Sequence, residues 1–327
     1  MELLSTRVSK FDKSKDYNLD NLSGLSLKCD WFIKGDKLIK IKDTNTPKFI
    51  FLALYYPIPL AYFINQVLPR IKNYFILITG DEDCTFPLGI GDKREKLFKI
   101  FPKEQVDIIL NNKFLLHIFS ENLDTDHDMM SPIPTGMGYP LDGKQYIYGN
   151  PPRIDINNKL FTDIDFDKKE VLCFCTHRTR WGKIHHRIQN QDRYNVGIYC
   201  RNKWKNFVTY YDSLPNQLFV EMLKKSKFCL CVHGGGMDPC PRFFEAIIHG
   251  SIPVIQHSPL DKLYSIFPVV YIDEWNENCI SEEFLLKKLE ELRNFYENED
   301  KRKEILRYLT MDYWWNKIEK KYEFCLK

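Results

Sequence analysis

The sequence predicts an α/β protein made of two Rossmann-like domains. In the N-terminal half, residues 48–79 carry a strand pattern, then helical spacing, then a second strand pattern. In the C-terminal half, residues 226–255 give an apolar run, a glycine-rich turn, a helical segment and another apolar run. Each stretch is therefore a βαβ unit, and such units build parallel sheets. A chain of 327 residues is long enough for two domains that each bury a core.

The boundary between the two domains is expected at the end of a polar linker. Residues 146–167 are rich in Asp and Asn and contain two adjacent prolines, which is typical of such a segment. This division gives an N-terminal domain over residues 1–165 and a C-terminal domain over residues 166–327.

Composition indicates a globular, soluble protein without a polyanionic partner. Hydrophobic residues make up 44% of the chain and aromatic residues 14%. The formal net charge is only +3, so nucleic acid is not an expected partner. Residues 49–64 are apolar, but Pro57 and Pro59 interrupt a stretch that is already too short to span a bilayer. We expect no integral membrane segment and a cytoplasmic location.

The ten cysteines are irregularly spaced, and no CxxC pair occurs among them. Neither a zinc ribbon nor a thioredoxin-type site is therefore expected. The pairs at 173 and 175 and at 229 and 231 lie inside apolar strand patterns. We expect buried, reduced thiols, as in a cytosolic protein.

The second βαβ unit carries the most informative functional pattern. Its first apolar run, residues 227–232, ends in a turn made of one histidine and three glycines, His233, Gly234, Gly235 and Gly236. Pro241 suits the first position of a helix, and Gly250 suits its left-handed C-terminal cap. A glycine turn at the carboxyl end of a parallel strand, leading into a helix, is a site where α/β sheets bind anions.

Arg242 and Glu245 lie three residues apart in the first turn of the predicted helix, and therefore on one face. A guanidinium suits a phosphate group, and a carboxylate there can accept hydrogen bonds from two neighbouring hydroxyls of a ribose. A plainer interpretation also stays open: Glu245 favours the helix dipole, and Arg242 pairs with a surface acid.

The same segment resembles a known enzyme family. Residues 241–246 read Pro-Arg-Phe-Phe-Glu-Ala, and residues 249–255 read His-Gly-Ser-Ile-Pro-Val-Ile. This pattern is similar to the signature of the exostosin-like glycosyltransferases of family 47, in which a strand leads to an Arg, a Glu-Ala pair and a Gly-x-Ile-Pro-Val ending. The resemblance is specific over about twenty residues and looser over the C-terminal half. The N-terminal half matches only in scattered pieces.

The resemblance implies two Rossmann-like domains facing across a cleft, the GT-B arrangement. It implies inverting transfer of a sugar from a nucleoside-diphosphate sugar, expected to be a UDP-sugar, to a hydroxyl of a glycan acceptor, without a bound metal or other cofactor. By analogy with two-domain transferases, the last helix, within residues 300–327, is expected to cross back onto the first domain. Exostosins are usually tethered by an N-terminal membrane helix, and this chain departs from that pattern.

An acidic turn closes the second strand of the first βαβ unit, at residues 80–83. Inverting transfer needs a base for the proton of the attacking hydroxyl, and a carboxylate at a strand end suits that role. Asp81 is the first candidate and Asp83 the second. Two alternatives stay open: a metal-binding DxD motif made by Asp81 and Asp83, and an acidic solvated loop.

A third candidate base is His127, which lies among Asp124, Asp126 and Asp128. The surrounding Asn-x-Asp run and Ile-Pro-x-Gly turn, within residues 120–139, are similar to those of soluble virus and microbial members of such families. This segment is expected to line the cleft between the domains. A histidine in such a loop is often only a surface residue.

A basic segment follows the first strand of the second domain. Its candidates for neutralising the departing diphosphate are Arg178, Arg180 and Lys183. A solvated basic face is the alternative. His185 and His186 lack a partner at metal-ligand spacing, so zinc is not expected.

The sequence therefore favours a metal-independent glycosyltransferase. Two competing hypotheses are a metal-dependent transferase that uses Asp81 and Asp83, and a glycan- or nucleotide-sugar-binding protein without turnover. A P-loop phosphotransferase is disfavoured, because no Gly-Lys-Ser/Thr follows Gly236.

Overall fold

A computed structural model describes most of the chain. The described residues are 1–7, 22, 24–54, 57–81, 83–90, 101–137, 153–177 and 190–327.

The first sheet has six strands within the described residues, in the order β2-β1-β3-β4-β5-β6. They are β1 Trp31–Lys34, β2 Lys37–Lys40, β3 Phe49–Ala53, β4 Phe75–Gly80, β5 Leu115–Ser120 and β6 Met130–Pro132. Strands β1 and β2 form an antiparallel hairpin at one edge, and every other pair is parallel. β3 and β4 are buried along their whole length, which explains their continuous apolar sequences.

The second sheet has five parallel strands in the described part of the chain, in the order β11-β10-β9-β7-β8. They are β7 Val171–Thr176, β8 Val208–Tyr211, β9 Ser226–Leu230, β10 Ile252–Gln256 and β11 Val270–Ile272. The chain builds β8 on one side of β7 and β9 on the other, so the direction of winding reverses between β7 and β9. This is the strand order of doubly wound nucleotide-binding sheets.

The helices cover the faces of both sheets. Their bounds are α1 Pro57–Tyr62, α2 Lys103–Leu110, α3 Lys159–Thr162, α4 Gln191–Arg201, α5 Asn216–Lys225, α6 Pro241–Ile248, α7 Asp261–Tyr264, α8 Glu282–Glu297, α9 Glu299–Tyr308 and α10 Met311–Cys325. Helix α1 continues as a π-helical turn over Phe63–Val67. Among the described residues, the helices are all too short or too polar to cross a lipid bilayer.

Both ends of the chain join the two halves of the molecule. Helix α10 packs on the first sheet, where Trp315 and Tyr322 lie 4.8 and 5.2 Å from the ring of Phe49. The N-terminal segment contacts the C-terminal helices, because the amide of Leu4 donates a hydrogen bond to the carbonyl oxygen of Leu309, at the end of α9. These contacts extend the core of the first sheet to the C-terminal helices.

The predicted α/β class with two Rossmann-like sheets is confirmed. The carboxyl edges of the two sheets face each other, since Asn122, which follows β5, contacts Met237 and Asp238, which follow β9. Seven of the ten cysteines are buried, and none of the ten forms a disulfide.

Candidate active site

The crevice between β7 and β9 is the place where the second sheet is suited to bind a ligand. In an open α/β sheet, ligands bind outside the carboxyl ends of the strands at the point where the winding reverses. His177 follows β7 directly, and residues 231–236 follow β9. The crevice is therefore lined by the glycine turn that the sequence analysis singled out.

Helix α6 begins at this edge, where the sequence predicts a helix N-terminus. Pro241 occupies the first turn, and Cys240 is the N-terminal cap residue, with a φ of 72°. This left-handed backbone is uncommon for a residue with a side chain. The Oδ1 atom of Asp238 accepts a hydrogen bond from the Cys240 amide at 3.0 Å, which holds the turn in place.

Glu245 is a buried carboxylate in the helix, only 4% exposed. Within the described ranges, no group donates a hydrogen bond to its side chain. Burial raises its pKa to about 8, although the positive charge of Arg242 opposes this shift. A carboxyl group of such low exposure is normally hydrogen-bonded, so the Glu245 oxygens are available as acceptors.

Arg242 lies beside Glu245 and has an unusual set of contacts. Its Nη1 atom donates to the sulfur of Cys240 at 3.6 Å, and its buried Nε atom has no partner among the described residues. Its charge also acts on His177, across the crevice. An arginine in such a place has donors available for an anionic ligand.

Arg193, in the first turn of α4, completes the basic side of the crevice. Its Nη2 atom lies 3.2 Å from the position that a β-carbon at Gly234 would occupy, so the glycine allows the guanidinium to lie close to the turn. Its Nε atom donates to the carbonyl of Val232 at 3.4 Å. The sequence analysis missed Arg193, whose only signal was its place at the start of the helix after β7.

His177 supports Arg193 through the backbone. Its Nε2 atom lies 2.5 Å from the carbonyl oxygen of Arg193, so this nitrogen carries the proton. Burial, together with the charges of Arg242 and Arg193, lowers its pKa to about 3. His177 is therefore neutral at physiological pH and contributes hydrogen bonds but no charge.

The glycine turn lies between the two halves of the molecule. His233 pairs with Asp192 at 3.1 Å, and Gly235 and Gly236 are buried. A β-carbon at Gly236 would lie 2.7 Å from both the Asn122 side chain and the Asp83 carbonyl. Among the described residues, no acceptor takes a hydrogen bond from the amides of the turn, Gly234, Gly235 and Gly236. Backbone amides of this kind, next to the N-terminal end of a helix, are chemically suited to an anion.

The predicted acidic turn after β4 lies directly opposite this glycine turn. Asp81 is buried, has a φ of 75°, and pairs with Lys34 at 2.6 Å. Asp83 is half-buried, and its backbone carbonyl oxygen would lie 2.7 Å from a β-carbon at Gly236. Asp81 and the backbone of Asp83 thus lie at the edge that faces the glycine turn, and the Asp81 carboxylate is paired with Lys34.

Glu121 is a second buried carboxylate at this edge, and sequence reasoning did not identify it. Its oxygens accept from the hydroxyls of Thr6 and Thr135, at 2.8 and 2.5 Å, and from the Asp81 amide at 2.9 Å. Burial raises its pKa, and the charge of Arg7 opposes the shift. Glu121 therefore holds the backbone at Asp81, although the two residues are distant in sequence.

His127 does not lie with the residues around the crevice. It lies on an exposed turn before β6, and its Nδ1 atom accepts from the Met129 amide at 3.1 Å. Met130 pairs with Ile118, in the middle of β5, so His127 lies toward the amino side of the sheet rather than at its carboxyl edge. The neighbouring Asp124 is buried and accepts from the amides of the loop before residue 91, at 3.0 and 3.1 Å.

The other predicted basic residues, Arg178, Arg180 and Lys183, lie outside the described residues. Glu82 also lies outside them. In the described part of the chain, no three His, Cys, Asp or Glu side chains come together in a way that could hold a metal ion.

No protein-family profile and no curated protein sequence matches this chain. Several solved structures are similar to it. An alpha-glucosyltransferase in complex with UDP-glucose and DNA containing an abasic site is 12% identical, with 86% of this chain and 81% of that chain covered and a TM-score of 0.39. The sucrose-phosphate synthase of Thermosynechococcus elongatus is 9% identical, with 86% and 74% covered and a TM-score of 0.45.

A third similar structure is the catalytic domain of starch synthase IV from Arabidopsis thaliana, bound to ADP and acarbose. It is 12% identical, with 86% of this chain and 73% of that chain covered and a TM-score of 0.41. Identities of 9–12% and TM-scores of 0.39–0.45 are too low to extend the substrates of these proteins to this chain.

Proposed function

We propose that this chain is a nucleotide-sugar-dependent glycosyltransferase. It transfers a sugar, with inversion, from a nucleoside-diphosphate sugar to a hydroxyl of a glycan acceptor. The expected nucleotide is UDP, which follows from the resemblance of residues 241–255 to the exostosin-like signature.

One observation carries the proposal: the buried Glu245 carboxylate has no hydrogen-bond donor in the described protein and lies beside Arg242. A ribose presents two adjacent hydroxyls, which can donate to the two oxygens of the ionised form of Glu245. Burial disfavours this form in the ligand-free protein, and hydrogen bonds from the ribose favour it. Each such charge-assisted bond contributes about 1.5–3 kcal/mol. A ribose at Glu245 also places the attached diphosphate near the start of α6, where the positive charge of Arg242 favours an anion.

The diphosphate has three sources of stabilisation in this crevice. They are the guanidinium groups of Arg242 and Arg193, the amides of the glycine turn, and the positive end of the α6 dipole. Arg178, Arg180 and Lys183 remain candidates for the same role. These groups stabilise the negative charge that develops on the diphosphate as the bond to the sugar breaks.

The acidic turn supplies the base. The acceptor hydroxyl attacks the anomeric carbon, the bond from that carbon to the diphosphate oxygen breaks, and a carboxylate takes the hydroxyl proton. We assign this role to Asp83 ahead of Asp81. The Lys34 ammonium donates to the Asp81 carboxylate at 2.6 Å, so this carboxylate is already engaged by a group of the protein.

The test is nucleotide binding by calorimetry with UDP, GDP and CDP, with and without Mn²⁺, on the wild type and Glu245→Gln. We expect one nucleoside diphosphate to bind the wild type without metal. Glu245→Gln should weaken that binding by roughly 10- to 100-fold, because it loses at least one charge-assisted bond. The matched control is Glu221→Gln, an exposed carboxylate on α5, which should bind as the wild type does.

Each other outcome contradicts part of the proposal. If no nucleoside diphosphate binds, the proposed function is wrong. Binding that requires Mn²⁺, or transfer that stops in EDTA, favours the metal-dependent alternative through Asp81 and Asp83. Binding without release of nucleotide from any UDP-sugar favours a binding protein without turnover.

A further inference from the structure

A reciprocal set of hydrogen bonds joins the carboxyl edges of the two sheets. Asn122 follows β5 in the first half, and its Oδ1 atom accepts from the amides of Met237 and Asp238 in the second half, at 2.9 and 2.8 Å. In the other direction, the Oδ2 atom of Asp238 accepts from the amide of Thr135 in the first half, at 3.0 Å. We call this pair of side chains, Asn122 and Asp238, the latch.

The latch is built into the fold rather than formed by mobile surface groups. Asn122 and Asp238 are 2% and 5% exposed. Asn122 adopts a left-handed backbone conformation, with a φ of 53°, and its carbonyl accepts from the Phe86 amide at 3.1 Å. Asn tolerates this conformation better than most residues, so both its backbone and its amide group suit the position.

Asp238 also connects the latch to the start of α6. Its Oδ2 atom accepts from the hydroxyl of Tyr264, and its Oδ1 atom accepts from the amide of Cys240, the N-terminal cap residue of α6. The same carboxylate therefore binds the first half of the molecule and the turn that sets the direction of Arg242 and Glu245.

The glycine turn allows the two halves to touch at the latch. At Gly236, a β-carbon would lie 2.7 Å from Asn122 Oδ1 and 2.7 Å from the carbonyl of Asp83. Such distances are shorter than any normal contact, so a side chain at this position would force the halves apart. The contact also places Asp83 next to the turn before α6.

On this geometry, and given the proposed function, we propose that Asn122 and Asp238 are positioning residues. They hold the acidic turn of the first half at a fixed distance from the donor-binding turn of the second half. Neither side chain needs to contact the substrate. Nucleotide binding uses the second half alone, whereas transfer needs both halves in register, so the latch acts on the transfer rate.

The test compares nucleotide affinity with the rate of transfer in Asn122→Ala and Asn122→Asp. Asn122→Ala should leave the nucleotide Kd unchanged and lower kcat by roughly 100-fold, because a displacement of about 1 Å between reacting groups has an effect of that size. Asn122→Asp keeps an oxygen that accepts from both amides and should recover most of the rate. Asn294→Ala, an exposed asparagine on α8, is the matched control.

Small-angle scattering tests the latch independently of the proposed activity. Gly236→Ala and Asn122→Ala should each increase the radius of gyration, and Asn294→Ala should not. If the wild type binds no nucleotide, the proposed function fails while the scattering result still decides the latch. An unchanged radius of gyration in both variants overturns the latch. An unchanged kcat in Asn122→Ala, or no recovery in Asn122→Asp, overturns the positioning role.

Discussion

The Arg302 guanidinium donates a 2.6 Å hydrogen bond to the carbonyl oxygen of Ile247, in the last turn of α6. A second bond, at 3.0 Å, reaches Ile248, and the Nε atom donates to Phe161 at 2.9 Å. Arg302 is completely buried, and burial lowers its pKa to about 10, so it remains charged at neutral pH. The helix that carries Arg242 and Glu245 is thus held at its C-terminal end by a cation that complements its dipole.

Replacing Arg302 with methionine should destabilise the protein by on the order of 3 kcal/mol, because buried carbonyl groups at the end of α6 lose their donors. The measurement is the free energy of unfolding from urea denaturation. Arg307→Met, an exposed site on the same helix α9, is the control and should change stability by less than about 0.5 kcal/mol. Equal effects of the two substitutions would show that the capping role is wrong.

Glu245→Gln should stabilise the protein while weakening nucleotide binding. The pKa of Glu245 is about 8 in the folded protein against an ordinary value of 4.5, so folding favours the neutral carboxyl group. Its contribution to stability is greatest below pH 4.5 and is lost as the pH rises through 8. The neutral Gln avoids this loss, which amounts to up to roughly 5 kcal/mol at high pH.

The measurement is the melting temperature of both proteins from about pH 5 to pH 9, with Glu221→Gln as control. The advantage of Glu245→Gln over the wild type should grow across this range. A variant that is more stable yet binds less nucleotide cannot owe its lost binding to misfolding. If the melting temperatures of the two proteins change equally with pH, folding does not raise the pKa of Glu245, and this prediction is wrong.

Short sequence patterns predicted the strands and helices that depend only on neighbouring residues. The βαβ unit of residues 226–255 appears as β9, α6 and β10, since its apolar runs, Pro241 and Gly250 specify strand, helix start and helix end through short-range chemistry. The buried strands β3 and β4 follow from the same kind of pattern.

The contacts that complete the site could not be predicted in the same way. Arg193 meets Gly234 only because α4 lies over the turn after β9, and Asn122 meets Asp238 across 116 residues of sequence. Glu121 gathers donors from Thr6, Asp81 and Thr135. These pairings depend on how the two sheets pack, and a single sequence carries no periodic signal for that packing.

Gly250 should be far less tolerant of substitution than Gly35, although both have a left-handed backbone, with φ values of 75° and 62°. At Gly250 a β-carbon would lie 2.5 Å from the Ile164 side chain, whereas at Gly35 nothing lies within 4 Å. Gly35→Ala should therefore cost about 1 kcal/mol of backbone strain, and Gly250→Ala that strain plus roughly 1–3 kcal/mol of overpacking. Urea denaturation of both variants measures the difference. Equal losses of stability in the two variants would mean that the Ile164 side chain can move aside without a free-energy penalty.

The base can be identified by comparing three conservative substitutions at saturating donor. Asp83→Asn should lower kcat by roughly 10²- to 10⁴-fold with little change in nucleotide Kd, because the variant cannot take the hydroxyl proton. His127→Gln should leave kcat unchanged, since His127 lies on an exposed turn away from the crevice.

Asp81→Asn should have a smaller effect on kcat than Asp83→Asn and a larger effect on stability. It removes the negative charge that lies 2.6 Å from the Lys34 ammonium, a group that is only 15% exposed. The Lys34→Met and Asp81→Asn double variant should restore stability, because it removes the buried charge as well. If kcat falls further in Asp81→Asn than in Asp83→Asn, and Lys34→Met alone leaves kcat intact, then Asp81 is the base and its ion pair must open during transfer.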